Sequence, residues 1–347
     1  MGAQPARLCH SFYKARLLVA QAAGLGEAGA TVMRSLLRIG TRGSALALWQ
    51  AEWVKTRLEN LWLELQVELV PIKTSGDKIQ DTSLAQVGGK GLFVKEIEEA
   101  LLVGTIDLAV HSMKDLPGEL PDGLTLSAVP EREDTRDLLI TRHGETLDEL
   151  PPGTRVGTSS LRRQALLLHL NPGLSIETLR GNVDTRLRKQ REGVVDATVL
   201  AVAGLKRLGL MPEHGSILDE QVFLPAVGQG ALGLETRVND KAATLVQPLH
   251  HQATAVAVSA ERAFLRRMGG SCRTPLAAKG IVTNGMVHLN ALVASPDGRR
   301  VIRGEYDGPT AAADQVGTAL AETLLSRGGK EILKALSAVS SQRSAGQ

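Results

Sequence analysis

Arginines give the first sign of chemistry in this sequence. Arg42, Arg162, Arg163, Arg180, Arg186 and Arg207 fall at or just after segments that read as strand ends. A guanidinium is a planar fork that can meet a carboxylate or a phosphate with two hydrogen bonds. Ser159, Ser160 and Asn182 sit at neighbouring helix starts, where hydroxyl, amide and backbone donors favour anions. Any one of these arginines reads as solvated surface charge. Their recurrence at equivalent junctions favours an anion-binding cleft instead. Phosphate competes with carboxylate as the ligand, but neither a G-x-x-x-x-G-K-[ST] loop nor a G-x-G-x-x-G element occurs, so nucleotide binding has no support.

Asp115 follows Lys114 just past a strand end and stands close to Pro117. A carboxylate there suits general acid–base work or the neutralisation of a cationic intermediate. An ion pair with a nearby base, or a helix cap, is the stronger reading from spacing alone. Cys272 lies in Gly269-Gly270-Ser271-Cys272-Arg273-Thr274-Pro275. Adjacent positive charge in an open loop lowers a thiol pKa, whereas an inert cysteine behaves as a small buried hydrophobe. Among the eight histidines none carries a readable Cys–His protease signature. His111, at a strand end, reads equally as a structural hydrogen-bonding residue. The segment Gly88-Gly89-Lys90-Gly91, near Asp77, Lys78 and Asp81, is either a mobile flap or a plain surface loop.

The elements that must hold these residues follow an alternating pattern. Residues 36–39 read as a strand, 40–44 as a turn, and a helix follows with Ser44 as N-cap and apolar positions at Leu46, Trp49, Trp53, Val54, Leu58 and Leu61. Strands at 66–72 and 106–111 enclose a helix over 92–102. Strands at 154–157, 176–179 and 197–202 alternate with helices at 161–170 and up to about residue 191. Such alternation predicts parallel sheets covered by helices on both faces, with ligands at the strand-to-helix junctions. The last hundred or so residues differ. A helix over 255–267, antiparallel strands at 281–282, 287–294 and 301–306, and a final helix through Val316, Leu320 and Leu324 predict a small α+β domain. The tail after Ser337 reads as unstructured.

Composition narrows the class. The chain has 347 residues, 43% apolar and 22% charged, which suits two or three globular domains. A net charge of +3 is too small for a dedicated nucleic-acid binder. No apolar run reaches the length of about 20 residues that spans a bilayer. With only Cys9 and Cys272, no C-x-x-C pair and no zinc spacing, the chain fits a reducing compartment and no metal is expected. Residues 1–33 are a poor secretory signal and read as an extension upstream of a start at Met33; an organelle presequence is the other reading. The location expected is cytoplasmic.

Together these segments resemble the porphobilinogen deaminase (hydroxymethylbilane synthase) family. The resemblance rests on Ile39-Gly40-Thr41-Arg42-Gly43-Ser44, Gly88-Gly89-Lys90-Gly91-Leu92-Phe93 and His111-Ser112-Met113-Lys114-Asp115-Leu116-Pro117. It continues through Val156-Gly157-Thr158-Ser159-Ser160-Leu161-Arg162-Arg163, Leu179-Arg180-Gly181-Asn182 with Thr185-Arg186-Leu187, and Leu224-Pro225-Ala226-Val227-Gly228-Gln229-Gly230-Ala231. These elements keep the family's order from about residue 36 to 335.

The resemblance implies a dipyrromethane cofactor on Cys272 through a thioether, to which four porphobilinogen units are added with loss of ammonia to give linear hydroxymethylbilane. It implies Asp115 as the catalytic group. Cys272, Lys114, Ser44, Thr158, Ser159, Ser160, Arg162, Arg163, Arg186 and Arg207 would hold the cofactor, and Arg42, Arg180, Arg163 and Arg186 the substrate. The implied fold is two α/β domains like those of periplasmic binding proteins, flanking a cleft, with a small C-terminal α+β domain. Its divisions would be 1–33 as an extension, 34–130 with 231–248, 131–230, 249–337 and a tail at 338–347. A monomer is expected, with porphobilinogen as small-molecule partner and neither nucleic acid nor membrane. Gln86 stands where a flap lysine is common, and Gly-Gly-Ser-Cys replaces the commoner Glu-Gly-Gly-Cys. The rivals are a non-catalytic solute-binding protein of the same architecture and an inactive relative. The first has no use for a third domain with a cysteine, and the second is expected to lose Asp115 or Cys272.

Overall fold

The computed structural model describes residues 35–78, 93–270 and 274–345. The extension at 1–33, the flap residues Gln86 and Gly88 to Gly91, and Cys272 lie outside the described residues. The chain divides into Met1–Ser35 and Leu36–Gln347, and the second unit carries the fold.

Along the chain, β1 (Ser35–Arg42) leads into α1 (Ala45–Leu61), followed by β2 (Leu65–Ile72), α2 (Lys95–Leu102), β3 (Leu108–Ser112) and β4 (Leu124–Ala128). The middle stretch gives β5 (Asp137–Ile140), β6 (Arg155–Gly157), α3 (Leu161–Leu170), β7 (Ser175–Glu177), α4 (Val183–Arg191), β8 (Ala197–Ala201), α5 (Val202–Leu208) and β9 (Ser216–Ile217). Then come β10 (Leu232–Arg237), α6 (Lys241–Val246), α7 (Gln252–Arg267), β11 (Leu276–Thr283), β12 (Met286–Ala294), β13 (Val301–Pro309), α8 (Ala313–Leu324) and α9 (Lys330–Ala345).

Two five-stranded sheets form, ordered β2-β1-β3-β10-β4 and β7-β6-β8-β5-β9. The orders coincide once β6, β7, β8 and β9 are set beside β1, β2, β3 and β4. In each sheet the fourth place goes to a strand arriving from the other half of the chain. β5 follows β4 out of the first sheet, and β10 returns after β9. Both exchanged strands run antiparallel to their neighbours, while β1 pairs with β3, and β6 with β7 and β8, in parallel. The expectation of parallel sheets is thereby corrected to mixed ones. The reason lies in the exchange, since each crossing strand enters its new sheet against the direction of the resident strands.

The third sheet is the antiparallel meander β11-β12-β13. Its core joins Phe264 of α7, Leu289 of β12 and Leu320 of α8, all fully buried. Truncating a buried phenylalanine to alanine typically costs about 3–5 kcal/mol, so this cluster can stabilise a small domain substantially. Mixed sheets with covering helices plus a small sheet-and-helix unit agree with the α/β and α+β class expected.

Local departures have identifiable causes. β1 runs through Gly40, Thr41 and Arg42, which the sequence suggests are a turn, because Ile39 and Gly40 pair in register with Leu108 and Ala109. On α1 the buried face is Gln50, Ala51, Val54 and Leu58, while Trp49 and Leu61 are exposed. Trp53 lies partly buried against the same core. α9 continues to Ala345, past the tail expected after Ser337, with Ile332 anchoring its first turns in the third core.

Candidate active site

The turn bearing Asp115 is fixed from several sides. β3 ends at Ser112, and Met113–Asp115 form one 3-10 turn closed by the Leu116 amide donating to the Met113 carbonyl at 3.2 Å. The Met113 amide donates to the Ala231 carbonyl at 3.0 Å, which ties the turn to the chain entering β10. Gly228 adopts φ 70°, and a Cβ there would lie 2.6 Å from the Met113 side chain, so glycine alone fits. From α7, Arg262 donates to the Gly118 carbonyl at 3.2 Å and reaches Met113 Sδ at 3.9 Å.

Around Asp115 a pocket of about 50 Å³ is lined by Arg42, Ser44, Gln50, Phe93, His111 and Ser112, among others. Ser44 caps α1, accepting from the Ala47 amide, and this places Arg42 at the end of β1 beside the helix N-terminus. The Arg42 guanidinium lies 4.3 Å above the Phe93 ring, a cation–π contact that keeps the charge facing the pocket. Gln50, 2% exposed, donates to Ser112 Oγ at 2.9 Å. Sequence reasoning missed Gln50 and Phe93. A polar residue on the buried face of an amphipathic helix, and an aromatic just after a glycine-rich run, were the signals available.

The second sheet brings its own anion-binding groups. Thr158 Oγ1 accepts from the Ser160 amide at 3.2 Å, Ser159 donates to the Leu179 carbonyl at 2.8 Å, and Ser160 caps α3. Arg162 and Arg163 point inward: they are 4% and 6% exposed and grip opposite oxygens of Asp137 at 2.7 and 2.8 Å. A second guanidinium nitrogen of each, Nη1, donates to the Leu224 and Val199 carbonyls at 2.8 Å. Burial alone would raise the Asp137 carboxyl, but Arg162 and Arg163 outweigh it and hold it far below the usual carboxylate range. Asp137 is the third residue the sequence reading missed. An acid opening the apolar run Asp137-Leu138-Leu139-Ile140 was its signal.

Charges from the two sheets feel each other. Burial, reinforced by Arg163, pushes Lys114 down to about 8 against the pull of Asp115 and Asp137. Arg186 falls to about 10 through burial and the repulsion of Arg163 and Arg180, partly offset by Asp115. Lys114 and Asp115 follow β3 of the first sheet; Arg163, Arg180 and Arg186 belong to the second. The structure therefore gathers them around one cationic space. Arg186 Nε donates to the Gly181 carbonyl at 2.8 Å, and half-buried Arg180 stands beside it. Arg207 lies further along, donating to the Gly230 carbonyl at 2.7 Å, with burial lowering it to about 10.

A hub of buried pairs sits where the chain crosses between sheets. Arg132 meets Glu261 at 2.5 Å and the Gln229 carbonyl at 2.8 Å, and Glu261 also accepts from the Gly228 and Gly280 amides. Gln229, fully buried, donates to the Thr135 carbonyl and to Asp137. A Cβ on Gly230, at φ 86°, would collide with the Glu133 carbonyl at 2.3 Å. Among the described residues no helix is long and apolar enough to cross a membrane, and no cluster of histidine, cysteine and carboxylate side chains suits a metal.

Comparison with known proteins agrees with this geometry. A family model described as "Porphobilinogen deaminase, dipyromethane cofactor binding domain" matches residues 37–244, and "Porphobilinogen deaminase, C-terminal domain" matches 255–326. The porphobilinogen deaminase of Syntrophotalea carbinolica is 58% identical over 303 residues, covering 87% of this chain and 96% of that relative. That of Geobacter sulfurreducens is 54% identical over 298 residues, covering 86% and 93%. A crystal structure of the methionine binding protein MetQ superposes with a TM-score of 0.40 at 18% identity, covering 62% of this chain and 88% of that one. With the motifs in order, a charged cleft between matching sheets and relatives this similar over nearly their whole length, the chain belongs to the porphobilinogen deaminase family.

Proposed function

We propose that the chain catalyses the stepwise deaminating condensation of four porphobilinogen units into linear hydroxymethylbilane, on a dipyrromethane cofactor held by Cys272. The observation that carries this reading is the meeting of Lys114 and Asp115 with Arg163, Arg180 and Arg186 across the two sheets. Each pyrrole of the proposed ligands bears an acetate and a propionate. Burial, together with mutual repulsion, depresses Lys114 and Arg186, and the repulsion is relieved when carboxylates enter, so the donor set fits a polyanionic group. Ser44, Thr158, Ser159, Ser160, Lys114, Arg162, Arg163, Arg186 and Arg207 would surround the cofactor. When bound, it supplies a pyrrole carbon that is nucleophilic enough to extend the chain.

Each addition exchanges one C–N bond for one C–C bond. Ammonia carries away the amine, and a proton leaves the receiving carbon. Asp115, at the end of the 3-10 turn, is the acid–base group, and its carboxylate balances the positive charge that develops as ammonia leaves. Arg42, held against Phe93, and Arg180, Arg163 and Arg186 orient the incoming carboxylates. Arg162, committed to Asp137 and Leu224, acts by fixing the start of α3. Sheet membership supports 34–130 with 231–248 as one domain, 131–230 as the second and 249–337 as the third. Cytoplasmic action as a monomer accords with the sparse cysteines and with a product that grows in one cleft.

The test is turnover of porphobilinogen by the purified chain, followed by ammonia release and by the absorbance of oxidised product. One ammonia per pyrrole consumed is expected, with no turnover in Cys272→Ala. Tight binding of porphobilinogen without ammonia release would favour the solute-binding reading instead.

A further inference from the structure

Three titratable side chains that the reaction does not use lie together behind the pocket: Glu98 on α2, His111 on β3 and Glu235 on β10. They are 7%, 5% and 0% exposed. His111 Nε2 and Glu235 Oε2 are 2.9 Å apart. The other Glu235 oxygen, Oε1, and Glu98 Oε1 are both buried with no hydrogen-bond partner. Two buried carboxylates with orphan acceptors are costly, and the cost falls if one keeps its proton. An acceptor then becomes a donor, and one of two like charges disappears.

The surroundings select Glu98 for that part. Burial and then the repulsion of Glu235 push Glu98 up to about 7, against the opposing influence of His111. Of the other strands packed there, β4 reads Leu-Thr-Leu-Ser-Ala and adds no titratable group, while β2, which joins the Ile97–Leu101 cluster through Val70 and Ile72, carries Glu68 on its exposed face. From α7, the Arg262 guanidinium faces Glu235. The cluster also touches the site. His111 lines the pocket with Ser112 and Asp115, pairs with Gly233 across to β10, and immediately precedes the Ser112–Asp115 segment.

We propose that Glu98 is a positioning residue for Asp115: as a neutral acid it donates its proton to Glu235, and the Glu98–Glu235–His111 chain fixes where β3 ends and the catalytic turn begins. What Asp115 then does rests on the reaction proposed above; the hydrogen-bonded cluster does not.

The test compares the full-length, cofactor-loaded chain with Glu98→Gln, which donates at every pH, and with Glu98→Ala, which donates at none. The parent is expected to lose kcat as pH rises through about 7. Glu98→Gln should match the parent's kcat at the acid end and hold it flat through about pH 8.5, with KM within about twofold. Glu98→Ala should lose about tenfold or more in kcat at every pH, because the turn is displaced while binding groups stay. A Glu98→Gln profile that follows the parent's, or a Glu98→Ala variant with parental kcat, overturns the proposal. A second measurement decides even if a variant fails to fold: titration of carboxyl carbons in the parent carrying carbon-13 glutamate. One glutamate titrating near 7 supports the cluster, and all glutamates titrating below about 6 overturns it. A parent without turnover would sink the reaction, while this titration still judges the cluster.

Discussion

Asp137 and Lys114 are charged groups at strand ends, both within the influence of Arg163, yet their surroundings pull in opposite directions. Asp137 is fully buried and gripped by Arg162, Arg163 and Gln229, so its charge is matched. Lys114 is partly buried among cations, so its charge is strained and its proton held loosely. The first arrangement is complete without a ligand; the second is improved by an anion. That difference separates the crossover, where charge builds the scaffold, from the cleft, where charge awaits carboxylates.

Four changes would break or sharpen the contrast. The largest effect belongs to Asp115→Asn, which should cut turnover about 100- to 10,000-fold while leaving the denaturation midpoint within about 0.5 kcal/mol of the parent. Parental turnover would remove Asp115 from the reaction. Asp137→Ala should do the reverse by leaving Arg162 and Arg163 buried without a counter-ion. A loss of about 3–5 kcal/mol in urea denaturation is expected. A loss under about 1 kcal/mol would make the pair an ornament of the scaffold.

Lys114 gives a pH signature of intermediate size. Its ordinary value is 10.5 and its folded value about 8, so it sheds its proton as pH rises through 8 and the cleft loses a cation. KM for a dicarboxylated pyrrole should therefore rise between about pH 7 and 9, by about tenfold if the lost contact is worth about 1.4 kcal/mol. Binding near pH 8 should take up protons, measurable by calorimetry in buffers of different ionisation enthalpy. Lys114→Met should have a high, flat KM; a profile parallel to the parent's would assign the titration elsewhere. The smallest effect is at Ser160. Ser160→Ala removes the cap of α3 and should cost about 1 kcal/mol of stability, with a modest rise in KM as Arg163 loses its footing.

Much of this was legible in the sequence, unevenly. The helix Leu161–Leu170 and the Ser44 cap of α1 could be read because capping and periodicity are local. The place of β10 beside β3 depends on a long return of the chain, which no local pattern encodes. The arginines were recognisable as anion-binding groups, but sequence alone could not tell that Arg162 and Arg163 first serve Asp137. That partner is separated from them by 25 and 26 residues, and only folding makes it a neighbour. Trp49 misled for a related reason: its place in the apolar spacing suggested core, while the buried face of α1 carries Gln50 and Ala51.

The most direct test of the account is the intact mass of the purified, denatured chain beside its Cys272→Ala variant. The account predicts added mass equal to two linked pyrrole units on the parent and none on the variant. Bare masses for both, unchanged after incubation with porphobilinogen, would contradict covalent chain growth in this cleft and return the molecule to the solute-binding reading.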